Sequence, residues 1–329
     1  MGEKIVLGAK PYREHLNSSK SLVTPYKEIR AGFIALSLEK NRKATPFVEE
    51  AKALKSYAAK AKNPKQLLKI KEIKKSILTA AGISDKAANH LNEGDQLEAV
   101  QGLIDNFLEP AGIDFVDELV YRFLLTRGDS LGGSLRNLAG VLGERKFSRS
   151  LISALSIEGK EYSWMHSKSR KWIKCSGDDA DIEIHLKGIH WKNGKGSRTL
   201  IYNLTVPFVE KNVDLCLFNV PPNEMIFGKR KKSCHRDPKT YIALGELKGG
   251  IDPAGADEHW KTANSALERI RKSFKKKGRK PQTFFVGAAI EKAMAVEIFN
   301  QLSNGTMSNA ANLTNENQVI SLCKWFIGL

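Results

Sequence analysis

The chain is poor in cysteine and has no long apolar run. Its 329 residues include only four cysteines, and none of them forms a Cys-x-x-Cys pair. This spacing argues against a disulfide framework and indicates reduced thiols. Cys234 and His235 could supply two zinc ligands, but no partner pair stands at zinc spacing. No segment reaches the length of a membrane span, and the N-terminal residues lack the apolar core of a secretory signal. We therefore expect a soluble cytoplasmic protein.

Acidic residues are also in deficit. The chain carries 53 Lys and Arg residues against 36 Asp and Glu residues, which gives a formal net charge of +17. A chain this basic attracts polyanions, and nucleic acid is the commonest intracellular polyanion. An anionic membrane surface is the rival, but the sequence has no basic amphipathic terminal helix and no lipidation signal. We therefore expect a nucleic-acid partner and no membrane partner.

The first part of the chain has the periodicity of helices. Hydrophobic residues make up 41% of the chain, which is enough for a folded core. Up to about residue 156, apolar positions recur at spacings of three and four, as in TPYKEIRAGFIALSLEKNRK and AGIDFVDELVYRFLLTRG. The segment SLGGSLRNLAGVLGERKFSRSLISAL also reads as a helix. Its glycines predict close packing or a ligand that approaches the backbone: Gly132, Gly133, Gly140 and Gly143.

From about residue 157 the pattern alternates. DIEIHLKGIHW and RTLIYNLTV are typical of strands and flank Asn193-Gly194, a hairpin signal. NVDLCLFNV, TYIALGELKGG and QTFFVGAAI follow as strands, with helices at about 257–277 and 291–303. This order predicts an α/β fold of the α+β type, in which helices flank a mixed β-sheet and a helical domain precedes it. We place the helical domain at residues 1–130 and the α/β domain at residues 131–329.

One acid–lysine pair has the context of a strand end. Several Glu-x-Lys or Asp-x-Lys triplets occur, but apart from Glu246 and Lys248 they lie in helical patterns or flank turns or loops. Only Glu246 and Lys248 end an apolar strand, where residues i and i+2 share a face. Gly249-Gly250 then opens a loop. The carboxylate and the ammonium are therefore predicted to stand side by side.

A second acid begins the preceding strand. Asp214 opens the apolar run Leu215-Cys216-Leu217-Phe218, and a carboxylate there is costly to bury without a cation or a partner. Two carboxylates on adjacent strands form a hard-oxygen site suited to Mg²⁺, which activates water and neutralises charge on a phosphate. Lys248 can hold that water and stabilise the developing charge. The structural alternative is a surface ion pair on an edge strand, with Asp214 as a strand-end cap.

The loop after Lys248 leads to a histidine. In GGIDPAGADEHW, glycine and proline predict a tight loop, and Asp257 is predicted to cap the helix that follows. His259 then falls in the first helical turn, where the helix dipole disfavours imidazolium and so favours a neutral base. Because the loop leaves the strand end that carries the acids, His259 is a candidate for contact with the reacting water. A capping or packing histidine is the alternative.

At these residues the chain resembles a known family. Asp214 followed by Glu246-Leu247-Lys248 is similar to the core of the PD-(D/E)XK nucleases. The stretch GELKGGIDPAGADEHWKTANSALERIR and the ending NLTNENQVISLCKW resemble the AvaI/BsoBI family of type II restriction endonucleases. The resemblance covers most of residues 115–329. One departure is visible, because Val213 stands where the motif name has proline.

The resemblance implies a bacterial type II restriction endonuclease with a restriction-endonuclease-like core. It implies a homodimer that encloses a palindromic duplex such as CYCGRG, with residues 1–130 as the DNA-enclosing domain. It also implies Mg²⁺-dependent cleavage of both strands, four-base 5′ overhangs with 5′-phosphate ends, and a companion DNA methyltransferase in the host. The implied catalytic residues are Asp214, Glu246, Lys248 and His259, and Leu247 joins the two acids as a metal-binding position.

Several polar residues are candidates for contact with DNA. Lys229-Arg230-Lys231-Lys232 and Arg236 form a basic loop between the two acid-bearing strands. Phosphate contacts there would give affinity and salt dependence rather than sequence choice. Asp252 could accept a hydrogen bond from cytosine N4, and Lys211 and Lys86 could donate to guanine. The resemblance implies base contacts near these positions. For each residue, a solvent-facing charge is the alternative.

Two other functions fit the same residues. A repair or recombination nuclease would share the core but would give smears or junction-dependent cuts rather than discrete fragments. A basic DNA-binding protein without chemistry would retard DNA on a gel and leave it intact in Mg²⁺. The strand-placed Asp, Glu and Lys favour an enzyme, because binding alone does not need them.

Overall fold

A computed structural model describes residues 10–135, 137–177, 180–227 and 233–329. Within these ranges the α-helices are α1 (Tyr26–Ala58), α2 (Lys74–Ala80), α3 (Asp85–Ala88), α4 (Glu93–Leu103), α5 (Phe115–Leu135), α6 (Leu138–Ile157), α7 (Ile182–His185), α8 (Ala256–Lys275), α9 (Lys292–Ser303) and α10 (Glu316–Gly328). The strands are β1 (Tyr162–His166), β2 (Trp172–Lys174), β3 (Leu186–Asn193), β4 (Gly196–Val206), β5 (Lys211–Phe218), β6 (Tyr241–Lys248), β7 (Gln282–Gly287) and β8 (Asn309–Asn312). The helical N-terminal part and the α/β C-terminal part are both confirmed.

The strands form one mixed sheet in the order β2-β1-β3-β4-β5-β6-β7-β8. Neighbours from β2 to β6 run antiparallel, whereas β6, β7 and β8 run parallel. Helix α8 connects β6 to β7, because a parallel pair needs a crossover. Since β5 and β6 are antiparallel neighbours, the first residues of β5 lie next to the last residues of β6. The predicted mixed sheet is confirmed.

Helices cover both faces of the sheet. Side chains of α8 and α9 belong to the hydrophobic cluster on one face, and those of α6 and α10 belong to the cluster on the other face. Adjacent residues of β7 divide between the clusters, since Phe285 belongs to the first and Phe284 to the second. A strand covered on both faces is a continuous apolar run, which explains the sequence TFFV.

One predicted strand begins later than its pattern indicated. The segment DIEIHLKGIHW was expected to be extended from its first residue, but Ile182–His185 forms a helical turn and β3 begins at Leu186. The cause is local, because Asp181 has a left-handed backbone with φ of 60°. Such a conformation interrupts the extended backbone that a strand requires. The strand prediction was therefore wrong for these first residues.

The chain divides into two compact units. Of the described residues, those from 10 to 33 and from 139 to 329 form the sheet unit, and those from 34 to 138 form the helical unit. The helical unit has its own core, in which Leu54, Leu67 and Phe123 are buried. The enclosure of DNA by residues 1–130 stays a prediction. No helix in the described ranges is long and apolar enough to span a membrane.

Two glycines form a close backbone contact in the sheet unit. A Cβ atom on Gly143 would lie 2.6 Å from the Cα atom of Gly249, and one on Gly249 would lie 2.4 Å from the carbonyl oxygen of Ala139. The beginning of α6 therefore packs directly against the residue that follows β6. Close packing is confirmed for Gly143, but an added Cβ on Gly132 or Gly133 would meet nothing within 4 Å.

Gly143→Ala is expected to lower the free energy of unfolding by about 1–3 kcal/mol, because the new methyl group must displace backbone. Gly140→Ala is the matched control in the same helix, since a Cβ at that position meets nothing within 4 Å. This control should be neutral or more stable by up to about 1 kcal/mol, because alanine is the better helix former. Urea unfolding of both variants measures the difference. Equal stabilities would contradict the contact.

Candidate active site

The ends of β5 and β6 bring three charged side chains together. The Nζ atom of Lys248 donates to Glu246 Oε2 at 2.9 Å and to Asp214 Oδ2 at 3.1 Å. The main-chain N–H of Leu247 donates to the same Asp214 oxygen at 2.9 Å. The β5–β6 ladder stops at Leu215 and Gly245, so the carboxylate of Asp214 continues the pairing by one hydrogen bond. The predicted juxtaposition of the acids and the amine is present, and their catalytic roles stay a prediction.

Asp214 occupies a break in the β4–β5 ladder. The ladder skips the opposed pair Asn203 and Asp214. Asn203 has a left-handed backbone with φ of 50°. The flanking pairs belong to opposite core clusters: Tyr202 with Leu215, and Leu204 with Val213. In a regular strand, residues two apart point to the same face of the sheet, but here the side chains on either side of the skipped pair point to opposite faces. Asp214 lies at the residue where β5 exchanges its two faces.

Glu246 is the most deeply buried of the three charged residues, with 4% of its surface exposed. Within the described ranges its Oε1 atom has no hydrogen-bond partner. Burial raises the pKa of Glu246 to about 7, the charge of Asp214 adds to this increase, and Lys248 opposes it. Two carboxylates thus share one ammonium group. The site is short of positive charge, and a further cation would be stabilised there.

Lys248 retains its proton in this site. Burial disfavours the charged amine, but the charges and hydrogen bonds of Glu246 and Asp214 outweigh burial and raise the pKa of Lys248. A lysine with a raised pKa is an ammonium group at neutral pH. Its chemistry here is that of a hydrogen-bond donor and a positive charge rather than that of a base.

His259 lies in the first turn of α8, as predicted, because the helix begins at Ala256. The residue is exposed. A Cβ atom on Gly250 would lie 3.0 Å from His259 Nε2, and one on Gly255 would lie 3.5 Å from it. The imidazole therefore lies over the loop that leaves the acid-bearing end of β6.

The predicted cap of α8 was wrong. Gly255 occupies the capping position without any side-chain hydrogen bond, and Asp257 lies inside the first turn, where it pairs with Lys261. A carboxylate in the first turn still stabilises a helix through the dipole. The residue that caps by its side chain is Asp252, which accepts the Ala254 N–H at 3.0 Å at the start of a short 3₁₀ turn.

The predicted DNA contacts lie at several places. Lys211 is exposed at the first residue of β5, and Arg236 and Asp252 are exposed in the loops before and after β6. Lys86 is exposed on α3 in the helical unit. Lys231 lies outside the described residues. Contact of these side chains with DNA stays a prediction.

The described ranges contain no group of three or more His, Cys, Asp or Glu residues placed to hold a metal ion. Cys234 and His235, the alternative zinc ligands, are both buried. The Nδ1 atom of His235 is 2.6 Å from the hydroxyl of Ser233, so this imidazole has a protein partner. Asp214 and Glu246 offer two carboxylates, which suits an ion that keeps several water ligands.

Asn203, which stands opposite Asp214, and the two residues that bind it, Glu144 and Lys187, were not found by the sequence-based prediction. Asn203 Nδ2 donates to Glu144 Oε2 at 2.6 Å. Lys187 Nζ donates to the carbonyl oxygen of Asn203 at 2.9 Å. The glycine-rich start of α6 was a signal that a close contact occurs there. It did not indicate that Glu144 would reach across to β4.

The comparisons with known proteins agree over almost the whole chain. A family model described as restriction endonuclease BsobI matches residues 12–329. The type II restriction enzyme AvaI from Nostoc sp. is 57% identical over 319 residues, which cover 97% of this chain and 100% of that protein. The type II restriction enzyme BsoBI from Geobacillus stearothermophilus is 54% identical over 324 residues, which cover 97% of this chain and 99% of that protein. The resemblance predicted from the 245–271 block is confirmed, and the chain belongs to the BsobI restriction endonuclease family.

Proposed function

We propose that this type II restriction endonuclease hydrolyses DNA with a Mg²⁺ ion held by Asp214 and Glu246 and with Lys248 beside the reacting phosphate. Family membership makes the chain a site-specific deoxyribonuclease. The observation that supports this assignment of the site is that one ammonium group lies within hydrogen-bonding distance of two carboxylates at adjoining strand ends. Two carboxylates that can hold a divalent cation beside a positive charge suit metal-assisted phosphodiester hydrolysis.

The residues present fit a divalent cation. Glu246 Oε1 is buried without a partner in the described ranges, and carboxylate oxygens are the ligands that Mg²⁺ prefers. Leu247 can contribute its carbonyl oxygen, because its N–H points to Asp214 and the two groups of one strand residue point to the same side. When bound, the ion supplies Lewis acidity toward water and a phosphate oxygen.

Lys248 and His259 have different roles in this proposal. Lys248 donates hydrogen bonds from an ammonium group whose pKa is raised by Glu246 and Asp214, so it orients the attacking water and stabilises the negative charge that develops on the phosphate. His259 is exposed over the loop beside the acid-bearing strand end, where its imidazole can accept the proton that the water loses.

The partner in this proposal is a palindromic duplex, with CYCGRG as the expected site and 5′-phosphate ends as the products. A homodimer reads a palindrome with one copy of the site on each strand. Lys231 and Arg236 would contact phosphates, and Asp252, Lys211 and Lys86 would contact bases. A net charge of +17 supports binding to a polyanion. A companion methyltransferase would protect the host DNA.

Digestion of one sequenced plasmid tests this function. With Mg²⁺ we expect discrete fragments whose mapped ends share one short palindrome, and with a chelator we expect intact plasmid, because the carboxylate pair then lacks its cation. Smears or junction-dependent cuts would indicate a repair nuclease instead. Intact DNA in Mg²⁺, retarded on a gel, would indicate a binding protein. Size-exclusion chromatography with light scattering tests the homodimer.

Mg²⁺ affinity is expected to fall as the pH is lowered through 7. The pKa of Glu246 is raised to about 7, so each ion bound below that pH must displace a proton. The apparent affinity should therefore decrease about tenfold per pH unit below 7 and level off above it. Calorimetric titration at pH 6 in two buffers of different ionisation enthalpy measures the released proton. Binding at pH 6 without proton release would contradict the prediction.

The same carboxyl group affects stability in the metal-free protein. Its folded pKa lies above the usual 4.5, so its stabilising contribution is complete below pH 4.5 and is lost as the pH rises through about 7. Mg²⁺ should therefore raise the melting temperature more at pH 8 than at pH 5. Thermal unfolding at the two pH values, with and without Mg²⁺, measures this difference.

A further inference from the structure

We propose that Glu144 and Asn203 are positioning residues for Asp214, and that through Asp214 they increase the affinity of the cleavage site for a divalent cation. The inference rests on the proposed function of Asp214 and Glu246. It adds helix α6 to a site otherwise built from β5, β6 and the loop to α8.

The first observation is the backbone of Asn203. Its φ of 50° lies in the left-handed region, which is unfavourable for a residue with a side chain, although asparagine tolerates it better than most. Asn203 stands opposite Asp214, and the ladder skips this one pair while residues on both sides remain paired. The distortion in β4 therefore lies directly across from the carboxylate that we assign to the metal.

The second observation is that two other elements hold Asn203 in this conformation. From α6, Glu144 accepts the Asn203 amide N–H at 2.6 Å. From β3, Lys187 donates to the carbonyl oxygens of Tyr202 and Asn203. A lysine that binds two successive strand carbonyls occupies acceptors that ladder hydrogen bonds would otherwise use. Side chain and backbone of Asn203 are thus both restrained.

The third observation is the position of Glu144 in the sheet unit. Its neighbour Gly143 is in backbone contact with Gly249, the residue after Lys248. Burial raises the pKa of Glu144, and the negative charge of Asp214 adds to this increase. The hydrogen bond from Asn203 and the charge of Lys187 reduce the increase. The negative charge of Asp214 thus reaches Glu144.

The consequence concerns the direction of the Asp214 side chain. If Asn203 became regularly extended, it would pair with Asp214 and the two-residue alternation of both strands would continue without reversal. The carboxylate would then turn away from the Leu247 N–H and the Lys248 amine that it now accepts from. Groups that orient metal ligands in this way typically change metal affinity by about 10–100-fold.

Mn²⁺ binding to the full-length protein, measured from the electron paramagnetic resonance signal of free Mn²⁺, tests the inference without any turnover. Glu144→Ala should weaken Mn²⁺ binding about tenfold or more. Asn203→Val should weaken it at least as much, because a β-branched residue rejects φ of 50°. Asn203→Gly should weaken it less, since glycine adopts that backbone freely.

Cleavage supplies the second readout. Each weakened variant should cut slowly at limiting Mg²⁺ and recover at high Mg²⁺, which a variant with a merely structural defect would not do. Glu183→Gln is the matched control. Glu183 is a half-buried glutamate of the same unit that pairs with Arg149, and its substitution should leave Mn²⁺ affinity unchanged. Circular dichroism confirms the fold of every variant.

Wild-type Mn²⁺ affinity in Glu144→Ala would overturn the inference, and so would equal affinity in Asn203→Val and Asn203→Gly. If Glu144→Ala does not fold, the two Asn203 variants still decide. The proposed function fails separately. If Glu246→Gln cuts DNA normally, the assigned metal site is wrong, whereas loss of cleavage in Glu246→Gln together with an unaffected Glu144→Ala sinks only the positioning role.

Discussion

Glu246→Gln is expected to lower the cleavage rate by at least about a thousandfold at saturating Mg²⁺. Glutamine keeps the size of the side chain and an oxygen for the Lys248 hydrogen bond, now 2.9 Å long. It removes the negative charge that we assign to the metal. Affinity for DNA should change by no more than about twofold, because phosphate contacts supply most of it.

Single-turnover cleavage and a gel-shift titration in Ca²⁺ measure these two quantities. Glu297→Gln is the matched control, since Glu297 belongs to the same unit and accepts the Trp260 indole N–H at 2.7 Å. This control should cut at the wild-type rate. If Glu246→Gln cleaves DNA at a rate within tenfold of wild type, Glu246 has no role in the reaction.

Lys248→Met is expected to lose cleavage about 100- to 1000-fold while it binds Mg²⁺ at least as tightly as wild type. The loss is the effect of removing a donor to the developing phosphate charge. The retained affinity follows from the geometry, because Lys248 donates to Glu246 and Asp214 and so competes with a metal for the same oxygens. If Lys248 served only to bind the metal, Lys248→Met would instead bind Mg²⁺ more weakly than wild type.

Calorimetric titration with Mg²⁺ and single-turnover cleavage test this pair of outcomes. Without metal, Lys248→Met leaves two adjacent carboxylates without a cation, so its free energy of unfolding should fall by about 1–3 kcal/mol. Mg²⁺ should restore much of that loss. Lys261→Met is the control, because Lys261 is an exposed lysine of the same unit that pairs with a single acid, Asp257. Weaker Mg²⁺ binding by Lys248→Met would contradict the competition.

The long amphipathic and apolar segments were predictable because their signals are local. The strands β4 to β7 and the helices α8 and α9 have clear periodicity, and the structure confirms them. The short strands β1, β2 and β8 carry three to five residues each. Segments of that length carry too few periods to stand out from loops. Their pairing depends on the neighbouring strand.

The active site also has features that the sequence predicts and features that it does not. Glu246 and Lys248 share a face because they are two residues apart on one strand, which any extended backbone imposes. Asp214 could be expected beside them because a buried acid in an apolar strand needs a partner. The cap of α8 was mispredicted because Gly255 occupies the capping position. Glycine is accepted there but has no side chain to form a capping hydrogen bond, so the nearby carboxylate of Asp257 gave the stronger local signal.

The order of residues alone predicts a mixed sheet flanked by helices. It also predicts two acids and one amine at the ends of two strands. Both predictions are possible because the periods of strands and helices are properties of consecutive residues. The folded chain decides the rest. It joins Glu144 to Asn203 across 59 positions, places Gly143 on Gly249 and reverses the alternation at Asp214. These contacts link residues that are distant along the chain, and their free energy arises only when packing brings the elements together.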